Sequence, residues 1–332
     1  MKLQILVPQY KETDEVVKPL LDSLAIQQNV DFNELGVIIC NDGTDVHLSA
    51  DLLNSYPFKI EYHLCEHGGV SATRNACLDK ATADYVMFCD ADDLFCDACG
   101  LYVIFREMGI NDGFDTLASV FREETRTPDR KEIVYINREH DMTFVHGKVH
   151  RRQYLIDNNI RWNPDLTIHE DSYFNCLCQK LIRDPKRGRY CAMPFYLWKW
   201  RDDSICRHDK LYLNKTYTNM LDSNTALINQ FLSRGMENDA KLFATSMIYD
   251  VYYSLNCDRW WVGEGKKYLD KTELRFKKYW DDFKWLFDKT TKEEQMGIVS
   301  GIKNRFFNEG LLMERITFAD WIKHIERMGG KR

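Results

Sequence analysis

The segment Tyr85-Val86-Met87-Phe88-Cys89 is followed directly by Asp90-Ala91-Asp92-Asp93, and this junction decides the fold. The apolar run has the length of a buried strand, and the acidic residues begin where that strand would end. A second apolar run, 35–40, leads into the turn residues Asn41-Asp42-Gly43 in the same way. Polar clusters beyond the carboxyl ends of strands are typical of ligand sites in open α/β sheets. We therefore expect a binding site at this edge of a sheet.

Strand and helix signals alternate through the first 100 residues, a pattern typical of a parallel sheet with crossover helices. Beyond about residue 210 the strand signals fade and amphipathic helical stretches begin. The sequence therefore predicts an α/β domain over 1–210 and a mainly helical region over 211–332. The predicted strands are 4–7, 35–40, 60–64, 85–89 and two within 116–136; the predicted helices are a segment after Thr13, 71–80, 152–158, 211–233 and 239–255.

Length and composition exclude several classes of protein. The 332 residues are 44% hydrophobic and 29% charged, which excludes a disordered chain, a collagen-like fibre and a small disulfide-stapled domain. No stretch approaches the roughly 18–20 apolar residues of a membrane span, and the start of the chain lacks a secretory apolar core. We expect a cytoplasmic protein, with a peripheral position at the inner face of the membrane as an alternative. The 11 cysteines are expected to be reduced, and Cys96-x-x-Cys99 lacks a second paired half for zinc.

The net charge of −6 conceals an asymmetry along the chain. Residues 259–332 carry 17 Lys and Arg against 12 Asp and Glu, whereas residues 1–258 carry 28 against 39. We interpret the acidic part as the holder of a cation-dependent site. The basic tail would face an acidic polymer or a membrane, or would be a solvated helical surface.

The acidic cluster at 90–93 favours a bound cation, because three ionised carboxylates within four residues repel one another. Oxygen ligands suit Mg²⁺ or Mn²⁺, which keep coordination positions open for substrate phosphates. The alternative is a helix N-cap with acidic residues in its first turn.

Five motifs in order carry a resemblance to a known family. They are Val7-Pro8-Gln9-Tyr10, Cys40-Asn41-Asp42-Gly43-Thr44, Gly69-Val70-Ser71-Ala72-Thr73-Arg74-Asn75, Phe88-Cys89-Asp90-Ala91-Asp92-Asp93 and His169-Glu170-Asp171. The set resembles the family 2 glycosyltransferases over roughly residues 3–210. The resemblance implies the GT-A fold, a Rossmann-like mixed sheet flanked by helices, and transfer from a nucleotide sugar with inversion.

The resemblance also implies residues that bind the nucleotide sugar. Tyr10 would stack on the base, Asp42 would accept a hydrogen bond from uracil, and Arg74 would contact the diphosphate. Asp90 would hold the ribose. The full set implied for the nucleotide sugar is Pro8, Tyr10, Glu12, Asp42, Arg74, Asp90, Ala91, Lys148 and Arg201.

The same resemblance implies the chemistry of transfer. Asp171 would remove the proton of the acceptor hydroxyl, and Asp92 would bind Mn²⁺ or Mg²⁺. The alternative for Asp171 is a cap on the following helix. His208, near the phosphate-binding Arg201 in a late loop at 196–205, would complete the metal shell. The secondary candidates are Asp93, which would cap or contact the donor sugar, Glu170 and Ser204.

These features predict a metal-dependent glycosyltransferase that uses a UDP-sugar and an acceptor hydroxyl, with a glycan or polymer of the cell surface as the leading acceptor. A phage-type DNA glycosyltransferase is one alternative, in which Lys266, Lys267, Lys277 and Lys278 would contact phosphates. A nucleotidyltransferase is another, although 8–12 has no glycine for a phosphate loop. The last alternative is an inactive sugar-nucleotide-binding protein. The C-terminal region would recognise the acceptor or form a homo-oligomer.

Overall fold

The chain forms two compact units in a computed structural model, Met1–Asp202 and Asp203–Arg332. The structure describes residues 1–127, 129, 131–202, 211–257, 263–311 and 316–328. The predicted domain boundary at residue 210 falls at the end of 203–210, which lies outside the described residues.

A mixed sheet of nine strands, counted over the described residues, forms the centre of the first unit. Its order is β3-β2-β1-β4-β8-β6-β9-β5, and β7 pairs with β6 off this path. Strands β1 to β4 are parallel, whereas β8 runs antiparallel to both β4 and β6. The prediction of a mixed sheet with flanking helices is confirmed. The strands are β1 (Leu3–Gln9), β2 (Leu35–Asp42), β3 (Lys59–Cys65), β4 (Tyr85–Phe88), β5 (Leu94–Phe95), β6 (Thr116–Arg126), β7 (Ile133–Arg138), β8 (Lys148–Arg151) and β9 (Gly188–Trp198).

Helices join and flank these strands. In α1 the apolar side chains at helical spacing, such as Val17 and Leu21, are fully buried, because they share one face of the helix. The helices of the first unit are α1 (Asp14–Ala25), α2 (Ala50–Leu53), α3 (Gly69–Lys80), α4 (Gly100–Gly109), α5 (Arg152–Asp157) and α6 (Glu170–Lys180).

The register of the parallel strands brings their carboxyl ends together. Pro8 of β1 pairs with Cys40 of β2, and Leu6 pairs with Phe88 at the end of β4. The residues that follow these pairs therefore meet at one edge of the sheet. This edge is where the sequence predicted the binding site.

Two segments differ from the sequence prediction. The first half of the charged stretch predicted as a turn at 122–131, residues 122–126, belongs to β6, because β6 and β7 pair and the Arg138 guanidinium lies 2.5 Å from a Glu123 carboxylate oxygen across the ladder. Residues 196–198, predicted as the start of a late loop, form the end of β9, where Tyr196 pairs with Phe121 and Phe95.

The second unit is helical over its described residues, as predicted. Its α10 begins with a capping box in which the Thr291 side chain accepts from the Glu294 N–H and the Glu294 carboxylate accepts from the Thr291 N–H. Among the described residues, no helix is long and apolar enough to cross a membrane. The helices are α7 (Tyr212–Ser233), α8 (Glu237–Leu255), α9 (Leu269–Asp288), α10 (Lys292–Asn308) and α11 (Phe318–Arg327).

Candidate active site

A buried arginine joins the helix α3 to two acidic segments. Arg74 is 3% exposed, and its guanidinium donates to Asp171 at 2.7 Å, to Asp90 at 2.9 Å and to Glu170 at 3.3 Å. Its flat face lies 4.4 Å from the ring centroid of Trp162. Burial disfavours the charged guanidinium, but the three carboxylates outweigh that cost and raise the pKa of Arg74 above its ordinary value. Arg74 therefore fixes the end of β4 against the start of α6.

Asp171 lies at the start of α6 with both carboxylate oxygens in use. One oxygen accepts from Arg74, and the other accepts from the Val145 N–H at 2.9 Å. Burial raises the pKa of Asp171, while the Arg74 charge opposes the rise. Burial, followed by the Asp171 charge, raises the pKa of neighbouring Glu170 to about 7. A carboxyl whose pKa is raised in this way binds a proton more readily than an exposed aspartate does.

A second acidic group lies beside this network. Asp93 is 1% exposed; it accepts from the Tyr196 hydroxyl at 2.6 Å and from the Lys199 N–H at 2.9 Å. The His146 Nδ1 lies 3.7 Å from the same carboxylate. Burial, with the charges of Asp92 and Asp90, raises the pKa of Asp93 well above its usual range. A positive charge placed here would relieve that repulsion.

The donor set fits a divalent cation. One ligand atom each from Asp90, Asp93 and His146 lie within 4.8 Å of one another, which is close enough for a shared ion. Two carboxylates and an imidazole suit Mn²⁺, and the carboxylates alone suit Mg²⁺. The predicted metal ligand Asp92 is not in this group, because its side chain contacts a different partner, and the predicted ligand His208 lies outside the described residues.

That partner is Arg201, whose guanidinium donates to the Asp92 carboxylate at 2.9 Å and lies 3.9 Å from Glu12. Burial and the nearby Asp90 charge raise the pKa of Asp92, and the Arg201 contact opposes the rise. Arg201 thus supplies a positive charge where the sequence predicted a cation. The structure brings Glu12, Asp92 and Arg201 together at the carboxyl edge of the sheet.

The loops after β1 and β2 form the remaining wall. Asp42 accepts from the Gly68 and Gly69 N–H groups at 2.8 and 3.1 Å, and its Oδ2 lies 3.0 Å from the His67 Nδ1. This carboxylate holds the first turn of α3, which explains why the helix begins at Gly69 instead of the predicted residue 71. The Tyr10 ring is 43% exposed and stacks on His67 at 5.4 Å. His67 therefore joins the Tyr10 ring to the Asp42 carboxylate, and the Lys11 ammonium lies 4.9 Å from the centroid of the same ring.

Several predicted site residues have other surroundings. Lys148 is fully buried and donates to the carbonyls of Phe144 and His146; burial lowers its pKa to about 8. In this conformation its ammonium supports the segment 144–148. Ala91 is buried and Pro8 is partly buried. His208 and Ser204 lie outside the described residues.

Sequence reasoning did not single out three residues that build this site. Trp162 supports Arg74, Tyr196 donates to Asp93, and His146 joins the acidic cluster. Near His146 and Tyr196, the sequence pointed only to the cations Lys148 and Arg201. The uncharged partners carry no local pattern, because only the folded sheet brings β8 and β9 beside the 90–93 cluster.

Part of the chain matches a known protein family. Residues 4–112 match the model of Glycosyl transferase family 2. Poly(ribitol-phosphate) beta-N-acetylglucosaminyltransferase TarS of Staphylococcus aureus is 27% identical over 188 residues, which cover 52% of this chain and 32% of that protein. The aligned segment therefore spans about a third of this curated relative.

Solved structures show the same fold. The crystal structure of S. aureus TarS 1-349 matches with a TM-score of 0.60 at 15% identity, over 93% of this chain and 92% of that chain. The same protein in complex with UDP-GlcNAc matches with a TM-score of 0.54 at 16% identity, with the same coverage of both chains. The matched segment, the five ordered motifs and the mixed sheet agree: residues 4–112 are similar to glycosyl transferase family 2, and the first unit has the GT-A fold.

Proposed function

We propose that this chain transfers a sugar from a UDP-sugar to an acceptor hydroxyl, with inversion at the anomeric carbon and with the help of Mn²⁺ or Mg²⁺. The observation that carries the proposal is the Arg74 network. One guanidinium holds Asp90, on the predicted donor side, and Asp171, the predicted base, within 2.9 and 2.7 Å. A base and a donor site held by one rigid group suit a single displacement.

A cation held by Asp90, Asp93 and His146, with Asp92 nearby, would supply positive charge for the departing diphosphate. Asp171 accepts the proton of the acceptor hydroxyl as its oxygen bonds to the anomeric carbon and the bond to the diphosphate breaks. The contacts from Arg74 and the Val145 N–H fix the orientation of this carboxylate. Burial raises the pKa of this carboxylate, which makes it a stronger base than an exposed aspartate.

The loops at the edge of the sheet support a uridine donor. We assign base stacking to Tyr10 and the recognition of uracil to Asp42, with Pro8, Glu12 and Ala91 completing the wall. Support comes from the exposed Tyr10 ring beside the Asp42 carboxylate, and from the UDP-GlcNAc complex of TarS. Asp42 already receives backbone N–H groups, and a carboxylate has lone pairs for a further donor.

For the acceptor we propose a hydroxyl of a cell-surface polymer, and specifically of a polyol-phosphate chain. The support is the similarity to TarS, a poly(ribitol-phosphate) beta-N-acetylglucosaminyltransferase. We assign catalysis to residues 1–210, and acceptor recognition or self-association to 211–332. Light scattering of the full chain tests self-association. The predicted cytoplasmic location suits a UDP-sugar enzyme and stays a prediction.

The test is a donor panel with Mn²⁺, followed by release of UDP with ribitol-phosphate oligomers as acceptors. We expect release with one UDP-sugar, loss of release with EDTA, and loss in Asp92→Asn and Asp171→Asn. Asp51→Asn, an exposed aspartate on α2, is the matched control and should keep full activity. Undiminished turnover under EDTA and in both site variants contradicts the proposal, and release of pyrophosphate in place of UDP indicates a nucleotidyltransferase.

A further inference from the structure

A cavity of about 440 Å³ lies in the first unit, and no residue of the Arg74 network lines it. Thr116 and Ala118 of β6 line it together with Met142 and Gln179. Its size is within the range of small-ligand sites. None of its lining residues belongs to the acidic cluster or to the predicted nucleotide site.

Helix α6 links this cavity to the proposed base. Asp171, Asn175 and Gln179 are four residues apart and therefore share one face of the helix. The chain segment 142–145 lies along that face, because the Asn175 amide donates to the carbonyls of Met142 and Phe144 and the Val145 N–H donates to Asp171. Eight residues of helix separate Gln179 from Asp171 by about 12 Å. The cavity and the base thus lie at opposite ends of one element.

The lining suits a hydroxylated carbon chain. The rings of His140 and Tyr190 stack at 4.0 Å, and Tyr190 is 39% exposed. A flat aromatic pair packs against C–H groups, while the Gln179 amide offers both a donor and an acceptor to hydroxyls. The Arg189 guanidinium is already used, because it donates to Glu107 and to the carbonyls of Ile110 and Gly113. Arg189 therefore supports the wall of the cavity.

Exposed cations lie next to the lining residues. Arg183 follows Ile182, and Lys186 follows Pro185; both cations are solvent-exposed, and both preceding residues line the cavity. Between them the segment carries one acid, Asp184, whose carboxylate accepts from the Lys186 N–H. The acids Glu139 and Asp141 flank the lining residue His140, so it is the 183–186 segment of the rim that favours an anionic group.

We propose that this cavity binds a non-reacting repeat unit of a polyol-phosphate acceptor chain while Asp171 acts on a hydroxyl of another unit. The proposal rests on the proposed function. The polyol lies against Tyr190 and His140, and the adjoining phosphodiester lies toward Arg183 and Lys186. A chain acceptor spans the two positions at once, whereas a single unit occupies only one, so the cavity gives the enzyme a preference for longer acceptors.

The test compares ribitol-phosphate oligomers of one and four units. We expect wild type to show a lower KM for the four-unit acceptor, and Tyr190→Ala to raise that KM about tenfold with no change in the KM of the one-unit acceptor. Tyr135→Ala, an exposed tyrosine of β7, is the matched control and should behave as wild type. Arg183→Ala combined with Lys186→Ala should flatten the salt dependence of the four-unit KM.

Equilibrium dialysis of a radiolabelled four-unit oligomer, without donor, separates this proposal from the proposed function. Weaker binding to Tyr190→Ala than to Tyr135→Ala supports the cavity even where turnover fails. Equal binding by both variants overturns it, as does a wild type with the same KM for both oligomers. A KM increase in Tyr190→Ala that is equal for one and four units also overturns it, because that result places the residue at the reacting unit.

Discussion

Replacing Arg74 by methionine should cost more stability at neutral pH than at acid pH. Methionine fills a similar volume against Trp162 but leaves Asp171, Asp90 and Glu170 without their shared cation. Unit charges about 4 Å apart interact by about 4 kcal/mol at an effective dielectric constant near 20. Arg74 makes three such contacts, at 2.7 to 3.3 Å. The protein can recover part of this energy by protonating one carboxyl, and we expect a net loss of about 3–5 kcal/mol at pH 7.5.

The pH dependence follows from the carboxyls that lose the guanidinium. Without Arg74 the folded-state pKa of Asp171 rises further above its unfolded-state pKa. At pH values between these two pKa values, the folded variant therefore binds more protons than the unfolded chain. Stability of the variant therefore falls as pH rises through this window, relative to wild type. At pH 5 more of the carboxyl is protonated, and the penalty of Arg74→Met should be smaller than at pH 7.5.

The assay is urea unfolding of wild type and Arg74→Met at pH 5.0 and 7.5, with UDP release measured in parallel. Arg106→Met is the matched control, since Arg106 is 54% exposed and forms a surface ion pair with Glu107; it should cost no more than about 1 kcal/mol at either pH. A loss below 1 kcal/mol for Arg74→Met at pH 7.5, or a loss that is equal at the two pH values, refutes the reasoning. Arg74→Lys keeps the charge without the planar fork and should recover part of the stability but little activity.

Three further predictions follow from the same contacts. Glu170→Gln should stabilise the protein increasingly from about pH 4.5 to 7, because a carboxyl with a folded-state pKa of about 7 lowers stability once it ionises. The urea midpoints of wild type and variant at pH 4.5 and 8 measure this effect. An equal shift of the midpoint at the two pH values would contradict it. Tyr196→Phe removes the hydroxyl that donates to buried Asp93 at 2.6 Å, and it should lower the free energy of unfolding by about 1–3 kcal/mol. Thermal unfolding measures the loss, with Tyr135→Phe as the control. An equal loss in both variants would contradict the prediction. Arg201→Gln removes a positive charge 2.9 Å from Asp92. The variant should bind Mn²⁺ more tightly in the absence of donor, and its KM for the UDP-sugar should rise. Titration followed by paramagnetic resonance measures the Mn²⁺ affinity, and an unchanged affinity would contradict the prediction.

The strands and the edge that carries the site were predictable because they depend on local patterns. The apolar run at 85–89 and the acids after it identify both a buried strand and its polar end, and β4 and Asp90 lie there. The β6–β7 hairpin was placed less well. Its charged residues resemble a turn locally, and only pairing such as Arg138 with Glu123 across the ladder makes them strand. A pattern within one strand or helix is visible in the sequence, whereas an ion pair between two strands is not.

The roles of the site residues were also hard to predict, because they depend on contacts between elements. The sequence predicted that Asp171 and Arg74 lie at the edge of the sheet, where the structure joins them by a hydrogen bond, and the role of Arg74 at the diphosphate stays a prediction. Helix α3 buries that side chain behind Asp90 and stacks it on Trp162, and neither contact is visible in the Gly69–Asn75 motif. The partners come from residues 16, 88 and 97 positions away.

These contacts determine which positively charged side chain can bind the diphosphate of the donor. For Arg74 to reach a diphosphate it would have to leave three carboxylates, and charge-assisted hydrogen bonds to buried partners oppose that movement. Arg201 has less to lose, because it is partly exposed and its bond to Asp92 becomes redundant once a cation neutralises the acidic cluster. We therefore assign the diphosphate to the cation and Arg201, and assign to Arg74 the positioning of Asp171. On this assignment Arg74→Lys should lower kcat more than it raises the KM of the UDP-sugar, and Arg201→Gln should do the reverse.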